Sequence, residues 1–251
     1  MSGHSKWSTI KRKKAATDAK RGKIFTKIGR ELAIAAREGG ADPEGNIRLR
    51  LIVEKARAAN MPKDNIERAI RRGAGLEKGD TLEEVTYEGY GPHGVAFLVQ
   101  VLTDNRNRAV ADVRRDFNRY GGSMGEAGCV AWQFETKGYI SVDAEQVNPN
   151  AIFEIAVEAG AEDVVFGNET IEIYTDPSEL HIVRDALAEH EVAIESAELV
   201  QVPKTSMALD EKSTLANMHL IDALEELDDV QHVFSNLEIS DEIMAIYEEE
   251  E

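Results

Sequence analysis

The chain has 251 residues, 29 Lys+Arg against 47 Asp+Glu, a formal net charge of −18 and 42% hydrophobic residues, the composition of a globular protein with one or more buried cores rather than of a disordered chain. Its longest apolar runs, such as 32–36 and 95–99, reach five residues, far short of the ~20 that a membrane-spanning helix needs. Cys129 stands alone, which excludes an internal disulfide, and with no apolar signal-like stretch in the first 30 residues a reducing, cytoplasmic setting is expected.

Residues 1–20 are polar and cationic, with Trp7 and Ile10 as the only large apolar groups, and are expected to form an arm or a marginal helix. From about Lys20 the pattern turns helical: Ile24, Ile28 and Leu32 recur at i+4, flanked by Phe25 and Ala35, up to Gly39-Gly40. A second helix is predicted with Ile47, Leu51, Ile52, Ala56 and Ala59 inward and Asn60 as its cap. Pro62 suits the first turn of a third helix, which carries Ile66, Ala69 and Ile70 and stops at Gly73. Three short helices of this kind make a small bundle.

Residues 77–80 read as a linker, after which the period changes. Strands are predicted over 85–88 and 95–103 around the turn Gly89-Tyr90-Gly91-Pro92-His93-Gly94. Asp104 or Asn105 then caps a helix burying Val110, Val113 and Phe117. A glycine-rich loop over 121–128 leads to a strand over 129–134. Within 138–202 the order is strand (139–142), helix (150–159), hairpin (163–166 and 170–174), helix (180–187) and strand (196–202), the βαββαβ order of a split βαβ unit. A helix over 213–227, a strand over 231–234 and a short acidic tail close the chain. Residues 79–135 lack the second helix and last strand of a sandwich, and the closing elements supply them. The predicted fold class is therefore α+β: a helical bundle over 1–78, a split domain built from 79–135 and 206–251, and an inserted domain over 136–205, both of the latter ferredoxin-like.

The net charge divides unevenly. Residues 1–78 carry 20 Lys+Arg and 9 Asp+Glu, whereas 79–251 carry 9 and 38. Within the first 30 residues Lys6, Lys11, Arg12, Lys13, Lys14, Lys20, Arg21, Lys23, Lys27 and Arg30 face a single acid, Asp18. A basic head on an acidic body predicts a polyanion-binding module mounted on a scaffold that repels polyanions. The charge extends onto the third predicted helix at Arg68, Arg71 and Arg72, and Trp7 and Phe25 lie among the cations, Trp7 either to stack on a base or to pack in the bundle and Phe25 to pack in the bundle. Arg108, Arg115 and Arg119 form a second, weaker basic face, opposed by Asp112 and Asp116 on the same helix. The candidate nucleic-acid-binding set is Lys6, Trp7, Lys11, Arg12, Lys13, Lys14, Lys20, Arg21, Lys23, Lys27, Arg30, Arg71, Arg72, Arg108 and Arg115.

Other chemistry is weakly supported. The G-x-G-x-x-G spelled by residues 89–94 precedes a strand rather than a helix, so it reads as a hairpin turn and not a dinucleotide fingerprint. No Walker A or kinase signature accompanies it. The six histidines show no i, i+4 pair and one cysteine cannot build a thiolate site, so no metal is expected. The acids Glu225, Glu226, Asp228 and Asp229 lack the spacing of a calcium loop and read as a solvated helix end. No nucleophile-with-base arrangement stands out, so neither an enzyme nor a cofactor is expected.

Several blocks carry a resemblance: Gly3-His4-Ser5-Lys6-Trp7, Lys20-Arg21-Gly22-Lys23-Ile24-Phe25-Thr26-Lys27, Asn60-Met61-Pro62-Lys63-Asp64-Asn65-Ile66-Glu67-Arg68-Ala69-Ile70, Tyr87-Glu88-Gly89-Tyr90-Gly91-Pro92, Thr103-Asp104-Asn105-Arg106-Asn107-Arg108 and Gly121-Gly122. From end to end the chain resembles the YebC/PmpR family. The resemblance implies three domains, one inserted in another, and a non-enzymatic regulator of gene expression. Bacterial members are described as DNA-binding transcriptional regulators. A mitochondrial member activates translation for cytochrome oxidase, and others are similar to ribosome-associated elongation helpers. The expected partner is thus DNA or, alternatively, RNA on the ribosome, the second favoured by the lack of a helix-turn-helix pattern. A homodimer or protein partner through the acidic domains, and a pure interaction scaffold, are the further expectations.

Overall fold

A computed structural model describes residues 18–77 and 82–250. They form two compact units: one contains the described residues up to Phe134 together with those from Pro203 onward, the other is Glu135–Val202.

The first unit begins with α1 (Asp18–Gly39), α2 (Ile47–Ala58) and α3 (Lys63–Gly73). Ile28, Leu32, Ala35, Leu49, Ile52, Val53, Ala56, Ile66 and Ala69 form their common core, with Phe25 packed at its edge. Asn46 sets the α1–α2 corner: its side-chain oxygen caps the Leu49 N–H at 3.0 Å while its amide donates to the carbonyls of Ala35 and Gly40. Asn60 takes a left-handed φ of 58° in the link to α3, a conformation asparagine tolerates better than most residues. Gly73 ends α3 for a reason invisible in periodicity: a Cβ there would lie 2.0 Å from the Ala33 carbonyl oxygen of α1.

The same unit continues with β1 (Glu83–Tyr90), β2 (Ala96–Thr103), α4 (Arg106–Arg119) and β3 (Ser123–Met124). After the second unit it adds α7 (Glu211–Glu225), β8 (Val230–Ser235) and α8 (Asp241–Glu250). The sheet has the order β3-β1-β2-β8, antiparallel throughout. Phe97, Val99, Val113, Phe117, Met218, Ile221, Leu224 and Val233 fill its core. The G-x-G-x-x-G segment is indeed the β1–β2 connection. A Cβ on Gly91 would meet Asn217 Oδ1 at 2.3 Å, and Asn217 donates to the Pro92 carbonyl.

Two expectations are corrected here. No strand covers 129–134: Ala131–Gln133 is a 3₁₀ turn, and the strand begins at Phe134 and runs through to Asp143. The cause is Glu88 of β1, whose buried carboxylate accepts the N–H groups of Gly128, Val130 and Ala131 at 2.6–2.8 Å and so removes them from any ladder. The third strand of this sheet is instead the short β3. Nor is the C-terminus a plain acidic tail, because α8 buries Met244 and Tyr247 in the core.

The second unit comprises β4 (Phe134–Asp143), α5 (Pro149–Glu158), β5 (Asp163–Phe166), β6 (Thr170–Thr175), α6 (Leu180–Glu189) and β7 (Ile194–Pro203). Its sheet order, β5-β6-β4-β7, places β4 between β6 and β7, as the split βαβ reading of 138–202 requires. Tyr139, Ile140, Ile152, Ile173, Val183 and Leu187 are buried within it. The protein is thus an α+β protein with N-terminal helices and two antiparallel sheets.

Candidate nucleic-acid interface

The predicted cations that the structure describes fall into four environments. Lys6, Trp7, Lys11, Arg12, Lys13 and Lys14, and the side chain of Lys20, lie outside the described residues. Arg21 is exposed on the first turns of α1.

Lys23, Lys27 and Arg30 form one contiguous stripe on α1, as their spacing dictates, and this stripe lies on the C-terminal end of α7. Lys23 pairs with the Glu226 carboxylate and reaches its carbonyl at 3.3 Å. Lys27 Nζ donates to the Glu225 carbonyl at 2.8 Å. Arg30 donates to the Asp228 carbonyl and pairs with Asp229 Oδ1 at 2.9 Å. Unsatisfied carbonyls at a helix C-terminus carry partial negative charge, and adjacent carboxylates strengthen it. The acids of this segment are therefore not simply a solvated helix end: Asp229 is 8% exposed and also accepts Thr103 Oγ1 at 2.9 Å and Arg108 Nη2 at 2.8 Å.

On α4, Arg108 joins Asp229 and Asp104 (2.6 Å), and these two carboxylates push its pKa further up. The Arg108 guanidinium in turn holds the Asp104 carboxyl below its ordinary range. Arg115 pairs with Asp116 at 3.0 Å and Asp112 at 2.6 Å, and both raise its pKa, Asp116 more. Arg108 and Arg115 thus already have carboxylate partners.

α3 differs. Asn65, Arg68 and Arg72 follow one another at i, i+3 and i+7, the spacing of a single helix face, and all three line a cleft of about 430 Å³ against α1. Phe25, Thr26, Gly29, Arg30 and Met61 contribute to its walls, and Leu82 and Asp104 border it. Its volume falls within the ~300–1,000 Å³ of small-molecule sites. Arg72 also lines a second cleft of about 820 Å³ that runs along α1 past Arg37. Arg71 pairs with Glu77 at 3.2 Å, whereas Arg68 and Arg72 have no acidic partner among the described residues. Two exposed guanidiniums one turn apart, beside an amide and the half-buried Phe25 ring, can grip successive phosphates bidentately. Arg68 belongs to the basic face of this helix read from the sequence but not to the candidate set, and Asn65 was in neither; the signal for both was their shared face with Arg72. Among the described residues, no group of three or more His, Cys, Asp or Glu side chains is placed to hold a metal ion, and no helix is long and apolar enough to cross a membrane.

A helical bundle with an arginine-lined cleft, joined to a split α+β domain with a second one inserted, defines a protein class that comparison identifies. Residues 5–76 match the family model of the TACO1/YebC protein N-terminal domain, and residues 82–237 match that of the TACO1/YebC second and third domain. The chain is 55% identical over 240 residues to a "Probable transcriptional regulatory protein" of Trichlorobacter lovleyi, covering 96% of this chain and 97% of that protein. It is 51% identical over 251 residues to a protein of the same description from Herpetosiphon aurantiacus, with both chains covered in full. The crystal structure of a conserved hypothetical protein from Aquifex aeolicus superposes with a TM-score of 0.85 at 49% identity, over 90% of this chain and 94% of that one. The chain belongs to the TACO1/YebC family.

Proposed function

We propose that this protein is a regulator of gene expression that acts by binding nucleic acid, without catalysing a reaction, and that it grips the sugar-phosphate backbone. The cationic arm (Lys6, Lys11, Arg12, Lys13 and Lys14, with Trp7 as a stacking group), Lys20 and Arg21, and the α3 guanidiniums of Arg68, Arg71 and Arg72 make the contacts. Lys23, Lys27 and Arg30 serve chiefly to dock the bundle on the end of α7, and Arg108 and Arg115 are held by their carboxylates. The observation that carries this reading is the pair Arg68–Arg72, which line an open cleft and have no acidic partner among the described residues, whereas Lys23, Arg30, Arg108 and Arg115 are paired with carboxylates. The description of the relatives as transcriptional regulatory proteins supports duplex DNA as the target. A surface that reads phosphates rather than base edges also accepts RNA, so a ribosome-associated role is the second reading.

Crosslinking in cells, followed by sequencing of the recovered DNA and RNA, tests both. Promoter DNA enriched over random sequence, and lost when Lys11, Arg12, Lys13 and Lys14 are changed to Glu, is the expected result. Recovery dominated by ribosomal RNA replaces the first reading with the second. Recovery that survives the four reversals contradicts both.

A further inference from the structure

The second unit presents an apolar face that its own fold leaves uncovered. Phe153 and Val157 lie one turn apart on α5 and are 46% and 48% exposed, and Phe166, at the end of β5, is 48% exposed. The Phe153 and Phe166 rings lie 6.3 Å apart, so helix and strand contribute to one patch, and β5 is an edge strand whose outer side is open to pairing. Contiguous apolar surface of this kind marks interaction sites. Its surroundings select the occupant. Residues 135–202 carry sixteen Asp+Glu against two Lys+Arg. Both cations have carboxylate partners, Lys137 with Glu162 at 2.6 Å and Arg184 with Asp185, while Glu154 and Glu158 stand exposed beside Phe153 and Val157. Such a field repels nucleic acid, and it repels a second copy of the same unit.

We propose that this face docks a cationic polypeptide segment that carries large apolar side chains, the apolar groups covering Phe153, Val157 and Phe166 and the cations meeting Glu154 and Glu158. Two synthetic 12-residue peptides of equal positive charge, one with Leu and the other with Ser at alternate positions between lysines, test it against the full-length protein by fluorescence anisotropy. The Leu peptide is expected to bind about ten-fold more tightly, as one apolar anchor worth ~1.4 kcal/mol gives. The F153S/F166S variant loses that preference, and V157S, a milder cut in the same face, reduces it. A chain with Lys11, Arg12, Lys13 and Lys14 reversed to Glu keeps the preference, which separates this site from the nucleic-acid reading. Equal binding of the two peptides, or a preference that survives F153S/F166S, overturns the proposal. So does a wild-type dimer in sedimentation that F153S/F166S converts to monomer, since the occupant is then a second copy.

Discussion

Glu88 shows how a single side chain redirects the backbone. Burial raises its carboxyl pKa, but the N–H groups of Gly128, Val130 and Ala131 outweigh that and hold it below the ordinary carboxylate range. A depressed pKa contributes stability that is fully present above the unfolded-state value of about 4.3 and is lost as pH falls through the folded-state value. Glu88→Gln puts a donor amide where three donors already converge, and is expected to cost about 1–3 kcal/mol near neutral pH. The deficit relative to wild type shrinks as pH drops below about 4, which denaturant titrations at a series of pH values will show. At the bundle, Gly73→Ala forces α3 away from Ala33 and is expected to cost about 1–3 kcal/mol by overpacking, read as a lowered melting temperature. Neither role was legible in the sequence. Glu88 looked like one more strand residue and Gly73 like a helix stop, because carboxylate capture of a distant loop and backbone-to-backbone approach leave no periodic trace.

Elements were more legible than the contacts between them. The apolar stripes of α1, α2, α3 and α7 located those helices, and the alternation in 138–202 located every element of the inserted domain. What failed was local: residues 129–134 have strand composition, but Glu88 takes the N–H groups of Val130 and Ala131 and those of Cys129 and Gln133 close local turns, and the Ile243/Met244/Tyr247 spacing of α8 was hidden by the glutamates around it. The chief omission was the docking of α1 on α7. The Lys23, Lys27 and Arg30 stripe was visible, but its acceptors are mostly carbonyls at a helix end about 200 residues away, which no side-chain pattern reports. Asp229 is the centre of that junction. Asp229→Ala strips Arg30, Arg108 and Thr103 of a shared acceptor and is expected to cost about 2–3 kcal/mol, a fall of roughly 4–12 °C in melting temperature for a unit of this size. Lys23→Ala with Lys27→Ala is expected to lower stability more than nucleic-acid affinity, measured on the same preparations, because those side chains serve the junction.

At the scale of the molecule, charge separation is the property read most directly from sequence, since it depends on composition and not on packing. The basic segment 1–78 opposes an acidic remainder, and within the basic segment the structure sorts cations that hold the fold together from those left facing a cleft. The measurement that tests this division most directly is the salt dependence of binding by the full-length protein to a 30-base-pair duplex and to a single-stranded RNA of 30 nucleotides. About six phosphate contacts predict a log–log slope near −5 on the duplex and near −4 on the single strand. Arg68→Ala with Arg72→Ala is predicted to reduce the duplex slope by about 2, whereas Arg108→Ala with Arg115→Ala leaves it unchanged. A slope near zero for the wild type, or the same slope in the Arg68/Arg72 variant, would contradict the account.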